Sequence, residues 1–304
     1  MKILIVASFN QGFYAPFIVE QAQALENNGH DLLFFGIQGH GVIGYLKNIS
    51  QLIRVIKQFD PQIIHAHYGL SGLLANMQRK VPVVTTFHGS DINNKSVLRF
   101  SKLAMSFSAY SIFVSQRNIT IAAPHKHYQL LPCGIDSTNF QLFDKQEARA
   151  KFKFLPSRKY VLFSGSFANR VKNSDLAQRA VNLLKEVELV ELKGYSREEV
   201  NLLMNAVDAA VMTSFTEGSP QFVKEVMACG CPLVSVDVGD VIDISSGIDG
   251  CYMAKYDAHD LAEKLELAMA FEGRTQGRQR IVELGLENDT VAHKITEIYK
   301  NIVK

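Results

Sequence analysis

Two doubly wound, Rossmann-like α/β domains in one chain are the fold this sequence predicts, and three observations predict it. Short apolar runs of strand length alternate with helix-length amphipathic segments from end to end, the pattern of parallel sheets with right-handed crossovers. The alternation stops near Leu155-Pro156 and starts again, so it falls into two series. The chain has 304 residues, enough for two cores at roughly 150 residues per domain.

The elements follow in order. Lys2–Ser8 reads as a fully buried strand, and the helix after it, over 15–28, stops at Gly29. A second strand covers 31–36. Residues 37–45 read as a glycine-rich loop with Gly39, Gly41 and Gly44. A helix near 46–58 leads into strands over 61–67, 81–87, 110–115 and 128–131, with helical patterns among them. The second series has strands over 160–164, Val187–Glu191, 208–213 and 232–236. Its helices read over 174–185, 197–205 and 220–228, and helices over 258–271 and 289–303 close the chain. The expected domains are 1–145 and 156–288. Parallel sheets bind ligands outside the carboxyl ends of their strands, so an inter-domain cleft is the expected site.

Composition removes several classes. A chain 47% hydrophobic and 20% charged is ordinary for a globular protein. No apolar run approaches the ~20 residues of a membrane span. The start, Met1-Lys2-Ile3-Leu4-Ile5-Val6, lacks a following small-residue cleavage site, so a cytoplasmic location is expected. Cys133, Cys229, Cys231 and Cys251 form no Cys-x-x-Cys pair and read as buried, reduced thiols. Net charge is +2, but residues 1–145 carry 12 Lys and Arg against 7 Asp and Glu. That mild excess suits an anionic surface or a phosphorylated partner and is too weak for nucleic acid.

Chemistry concentrates where strands end. After the strand over 208–213 comes Phe215-Thr-Glu-Gly-Ser-Pro-Gln-Phe-Val-Lys-Glu225, with Glu217 and Glu225 flanking a turn of Gly218 and Ser219. Pro220 suits the first turn of the next helix. The free N–H groups there, near Gln221, suit a diphosphate. Glu217 is better matched to sugar hydroxyls, and Glu225 to a ribose diol. Their bland readings are a solvated loop residue and a surface helix residue. Asn169-Arg-Val-Lys-Asn173 supplies Arg170 and Lys172, which can neutralise a leaving diphosphate without a metal; read alone it is more often a solvated basic loop. Gly12, after the first strand, can bring backbone close to a phosphate.

His65, His67 and His88 lie at or just past carboxyl ends of first-domain strands. His65-x-His67 is expected to present its rings on opposite faces, leaving at most one toward His88. No Asp-x-Asp pair follows a strand, so metal-free chemistry is expected, with no cofactor. Lys95, Arg99 and Lys102 recur at helical spacing among Val97, Leu98, Leu103 and Met105. The basic face over 95–105 suits peripheral contact with an anionic membrane, at its inner face, though such a helix is more often an ordinary packed one with a solvated face.

Together these residues resemble the retaining, GT-B-fold glycosyltransferases of family 4 (glycosyl transferases group 1). The similarity is strongest over Glu191-Leu-Lys-Gly-Tyr, Ala206-Val-Asp-Ala-Ala-Val-Met-Thr-Ser and Phe215-Thr-Glu-Gly-Ser-Pro…Glu225-Val-Met-Ala-Cys-Gly-Cys-Pro-Leu-Val. Phe87-His-Gly-Ser-Asp91 looks like the family's His-Gly element, and Leu131-Pro-Cys-Gly-Ile-Asp136…Phe140 like its linker element. The resemblance implies a first, acceptor-binding domain and a second, nucleotide-sugar-binding domain. It also implies a closing helix, 289–304, packed back on the first. Glu217 would meet the donor sugar and Glu225 the ribose. Gly218, Ser219, Pro220 and Gln221 would form the donor turn, and Lys172 would meet donor phosphate. His88 would lie near the reacting centre, and Gly12 would border the diphosphate. The sequence departs from the family at three places. Gly12 is followed by Phe13 rather than a second glycine. Phe167 stands where the family has arginine, which makes Arg170 the candidate substitute. Cys133 replaces an asparagine.

The resemblance implies sugar transfer from a nucleotide-diphosphate sugar to a hydroxyl or lipid-linked acceptor, metal-independent and retaining, in bacterial polysaccharide or glycolipid synthesis. Two other readings stay open at this point, a nucleotide-sugar epimerase or hydrolase and a non-catalytic nucleotide-binding subunit. No Gly-x-Gly-x-x-Gly follows the first strand, which disfavours a dehydrogenase.

Overall fold

A computed structural model describes residues 1–303; Lys304, at the end of the expected closing segment, lies outside the described residues. The chain divides by its internal contacts into two units, Met1–Gly134 with Leu286–Lys304, and Ile135–Gly285.

The first unit is a six-stranded parallel sheet: β1 Lys2–Ser8, β2 Asp31–Ile37, β3 Ile63–His67, β4 Val83–Phe87, β5 Tyr110–Phe113 and β6 Tyr128–Leu130. Their spatial order is β2-β1-β3-β4-β5-β6. Lys2 pairs with Asp31 on one side of β1 and Ile3 with Ile63 on the other. Alternate residues of a strand point to opposite faces, so β1 and β3 feed two cores. Ile3, Ile5 and Ile63 pack with Ile18 and Leu25 of the helix Pro16–Asn27. Leu4, Val6, Ile64 and Ala66 pack on the other face with Leu52 and Leu74. The helix Asn288–Ile302 places Val291, Ala292, Ile295, Ile298 and Tyr299 in the first of these cores, a spacing that makes one continuous apolar stripe. It starts against Gly134, where an added Cβ would lie 2.8 Å from the Asn288 Cα.

The second unit is a five-stranded parallel sheet: β7 Lys159–Phe163, β8 Val187–Glu191, β9 Ala209–Met212, β10 Leu233–Val236 and β11 Cys251–Ala254. Its order is β11-β10-β9-β7-β8. The chain therefore reverses direction across the sheet beside β7 and β9, the arrangement that opens a binding crevice at the carboxyl ends of neighbouring strands.

Several sequence expectations shift. The expected loop over 37–45 contains a short helix, Gly41–Leu46. The strand Cys251–Ala254 and the helix Gly277–Glu283 were not foreseen, because each is short and lacks a clean period. The division falls at Gly134 rather than 145. The helix Lys145–Lys151 packs on Arg197–Ala206, and Lys145 reaches buried Asp208 at 2.9 Å. Pro220 is the N-cap of the helix Gln221–Ala228 rather than a residue of its first turn.

Candidate functional site

In the second unit, two tethers at the carboxyl end of β9 hold one loop against another. The Thr213 hydroxyl donates to the backbone oxygens of Lys172, at 3.0 Å, and Asn173, at 2.9 Å. The Phe215 N–H donates to the Val171 carbonyl at 2.9 Å. These bonds register the Phe215–Ser219 loop on the short 3-10 turn Arg170–Lys172 that follows β7. The result is an ion pair across 45 residues of sequence, Lys172 Nζ to Glu217 Oε1 at 2.8 Å. Its side chains keep 21% and 17% of their surface exposed, so the pair is partly desolvated yet open to a ligand. The Arg170 side chain is exposed and is not brought into this pair.

The turn after Glu217 is fixed from below. Lys224 lies fully buried in a helix whose neighbours Phe222, Val223, Val226 and Met227 are apolar. Its ammonium donates to the Ser219 hydroxyl at 2.7 Å, and that hydroxyl donates to Asp240. Burial raises the Asp240 carboxyl above its usual range, and the Lys224 charge pulls it back. Gly239, with φ +63°, sits against the same turn, and a Cβ there would lie 2.6 Å from the Gly218 carbonyl. The Gln221 side-chain nitrogen at the helix start is buried without a hydrogen-bond partner, an unspent donor in the first turn, where helix N–H groups lack intrahelical acceptors.

One turn further on, Glu225 is 6% exposed and pairs with Arg197 Nη1 at 2.6 Å. The bland reading of Glu225 as a surface helix residue is thereby corrected. Arg197 lies over the Phe140 ring at 4.7 Å and opens a helix with a complete Ser196–Glu199 capping box. Glu191, at the end of β8, accepts from the Ser166 hydroxyl at 2.8 Å and the Phe167 N–H at 2.7 Å. Those bonds hold its carboxyl below the usual range. Phe167 thus offers only backbone to this network. Lys224, Arg197, Glu191 and Asp240 escaped sequence reasoning. A lysine between the apolar pairs Phe222-Val223 and Val226-Met227 was the available signal for Lys224; the others pair with residues 21 to 28 positions away in sequence.

In the first unit the three histidines meet. His65 and His67 stack with ring centroids 4.6 Å apart, which corrects the expectation that they point to opposite faces. Residues two apart on a strand share a face. His67 Nδ1 lies 3.0 Å from His88 Nε2. His88 Nδ1 lies 3.5 Å from Cys133 Sγ, so both ring nitrogens of His88 are held within the protein. His65 is bonded to Tyr299 on one nitrogen and to Thr86 Oγ1 at 2.7 Å on the other. Burial lowers His65 to about 3 and His67 well below its usual range, the latter aided by its neighbours His65 and His88. These rings are neutral at pH 7.

The loop after β4 is organised by Asp91, which accepts from the backbone N–H groups of Gly69 at 2.8 Å and of His88 and Gly89 at 3.0 Å each. Burial raises this carboxyl to about 6 against the pull of those amides. Tyr68, whose ring lies 4.6 Å from that of His88, holds φ 73° and ψ 151°. That region is all but reserved for glycine and costs on the order of 1–3 kcal/mol. Gly12 has φ +80° with open space around the position of an added Cβ. Among the described residues no group of three or more His, Cys, Asp and Glu side chains is arranged to hold a metal. No helix among them is long and apolar enough to cross a membrane.

Known proteins share both units. Residues 25–139 match the family model for Glycosyltransferase Family 4, and residues 172–270 that for glycosyl transferases group 1. A Bacillus subtilis protein described as a teichuronic acid biosynthesis glycosyltransferase, TuaC, is 24% identical over 252 residues, covering 71% of this chain and 64% of its own length. The chain thus spans somewhat under two thirds of the length of that relative. Among solved structures, sucrose-phosphate synthase from Thermosynechococcus elongatus superposes with a TM-score of 0.84 at 15% identity, covering 99% of this chain and 98% of that one. Anabaena HepE, solved with UDP and glucose, superposes with a TM-score of 0.73 at 16% identity, covering 99% of this chain and 100% of that one. The fold is GT-B.

Proposed function

We propose, from the premise that this is a GT-B-fold homologue of glycosyltransferases, that the chain transfers a sugar from a nucleotide-diphosphate sugar to a hydroxyl acceptor, retaining the anomeric configuration. Bacterial polysaccharide or glycolipid synthesis is its proposed setting. The observation that carries this reading is the Lys172–Glu217 pair, at 2.8 Å, beside the helix start that holds the unspent Gln221 donor.

The pair suits exchange. A donor diphosphate takes the Lys172 ammonium, and the carboxylate so released accepts from sugar hydroxyls. Glu225, paired with Arg197 at 2.6 Å, is the acceptor for a ribose diol. As the bond from the anomeric carbon to the diphosphate oxygen breaks, Lys172 and the Ser219–Gln221 amides stabilise the charge on the leaving group. The acceptor oxygen bonds to the same face of that carbon, and its proton passes to the departing phosphate oxygen. No metal is required by this scheme. From the first unit, His88 contributes backbone rather than a ring nitrogen, since both nitrogens are occupied. Gly12 is kept as a diphosphate neighbour and Arg170 as an auxiliary cation. The HepE complex with UDP and glucose supports a nucleotide-sugar donor.

The test is a thermal-shift screen of UDP, GDP and ADP with their sugars. A ligand at 100 times its Kd stabilises by about 2.7 kcal/mol. The responding donor is then incubated with hydroxyl acceptors in EDTA, and product stereochemistry is read by NMR. No shift with any nucleotide sugar, or an inverted product, would sink the proposal.

A further inference from the structure

We propose that a second site, far from the donor turn in sequence, holds an anionic membrane phospholipid, its acyl chain in a pocket of the first unit. The pocket, about 240 Å3, lies between the helix Lys95–Phe107 and the helix Gln116–Ala122 with the residues that follow it. Met105, Ala122, Ala123 and Pro124 give it an apolar lining, and Lys102 and Lys126 stand at its rim. Lys126 crosses the gap and donates one N–H to the Ser106 carbonyl at 2.9 Å, an arrangement that fixes the ammonium at the mouth with donors to spare. The lining contains no acidic residue, and neither does the whole of the helix Lys95–Phe107. Leu103 and Phe107 on that helix and Ile121 on the next are exposed by 47%, 43% and 38%.

An apolar slot with a basic mouth, flanked by exposed apolar side chains, matches an amphiphile with an anionic head. A free phosphate or sugar would leave the slot unused. The position selects a bilayer lipid over the acceptor. Ser106 and Ser111 bracket the start of β5, and His125 and Lys126 precede β6. The pocket therefore lies at the amino ends of these strands, whereas His88 follows the carboxyl end of β4 in the same parallel sheet. A lipid held here anchors the unit and does not enter the reaction. Lys95 and Arg99 continue the basic stripe along the helix away from the pocket.

The test uses the whole chain without nucleotide sugar, so its outcome is separate from that of the donor reading. Co-sedimentation compares vesicles of phosphatidylcholine alone with vesicles containing phosphatidylglycerol. Recruitment only by the second kind is expected. Lys102→Ala and Lys126→Ala should each weaken it about fivefold, at about 1 kcal/mol per basic residue near the surface. Ser106→Trp fills the slot from an exposed helix position without changing charge and should weaken it comparably; the thermal midpoint confirms that the variant is folded. Decyl phosphate should protect against unfolding where inorganic phosphate does not. Failure of phosphatidylglycerol vesicles to recruit the chain would overturn the proposal. Full recruitment of Ser106→Trp would also overturn it, because it would reduce the contact to diffuse charge.

Discussion

The carboxyl edges of the two sheets hold their polar groups in opposite ways. In the first unit, His65 and His67 are buried, stacked and neutral, His65 bonded to Tyr299 and Thr86 and His67 to His88. In the second, Lys172–Glu217 and Arg197–Glu225 are charged pairs, each with one side chain more than a fifth exposed. Charging a buried imidazole costs desolvation, so the first edge resists change. An ion pair beside solvent can trade one partner for a ligand of the same charge. The contrast is why the proposed function assigns anion recognition to the second edge and rigid positioning to the first.

The sharpest way to break that comparison is to remove the exchange. Lys172→Ala should cost about 10²–10³ in kcat, the usual loss of one group that stabilises transition-state charge. Glu217→Gln, which keeps a polar group at the same place, should lower kcat with little change in nucleotide affinity. A milder effect is expected at the second pair. Glu225→Ala should weaken nucleotide binding about tenfold or more, at about 1.5–3 kcal/mol per hydrogen bond to a charged group, while kcat at saturation holds. If the Glu217 and Glu225 variants changed kcat and affinity alike, the division of labour would be lost.

The first edge is tested by pH. The folded state keeps His65 and His67 neutral where the unfolded chain binds protons below the usual histidine value of 6.5. Their contribution is whole above about pH 6.5 and is lost as pH falls from there toward 3. Asp91 works against this trend. Its carboxyl, raised to about 6 from 3.8, makes the folded state the better proton binder between those values, so acid relieves a penalty. Two histidines outweigh one aspartate, and a net loss of roughly 2 kcal/mol is expected at pH 5.5 relative to pH 8. Urea midpoints that do not fall between those two conditions would show that the rings are not held neutral. The smallest effect concerns Tyr68. Tyr68→Gly relieves a left-handed backbone and should recover about 1 kcal/mol of backbone strain. It also removes a ring packed on His88, so the predicted signature is a backbone gain offset by lost packing, together with lower turnover. Unchanged turnover would make the Tyr68 strain merely architectural.

The alternating pattern sufficed for the fold because strand length and helix period are local signals. Lys2–Ser8 and Val187–Glu191 needed nothing beyond their own residues. Short elements such as Cys251–Ala254 carry too few residues for a period and were passed over. Glu217 and Lys172 stood out in loops after strands and Glu225 in the helix that follows, but their pairings were invisible. The bonds that bring Lys172 to Glu217 run through Thr213 and Val171, and only a folded sheet sets those strands side by side. Lys224 shows the same limit from inside: its role depends on Ser219 and Asp240 closing over it. The histidines failed differently. The two-residue period of a strand puts His65 and His67 on one face, as found.

The helix Asn288–Ile302 has a consequence for how the chain is made. It supplies Val291, Ile295 and Tyr299 to the core built on β1 and β3, and Tyr299 bonds to His65. Chains emerge from the ribosome N-terminus first, and domains commonly fold in that order. Here the first sheet is translated early but lacks one wall of its core until some 150 later residues have been made, on the order of ten seconds at usual elongation rates. The second unit, Ile135–Gly285, is contiguous and can close sooner. In a nascent chain, the half that is synthesised second is therefore the half expected to fold first.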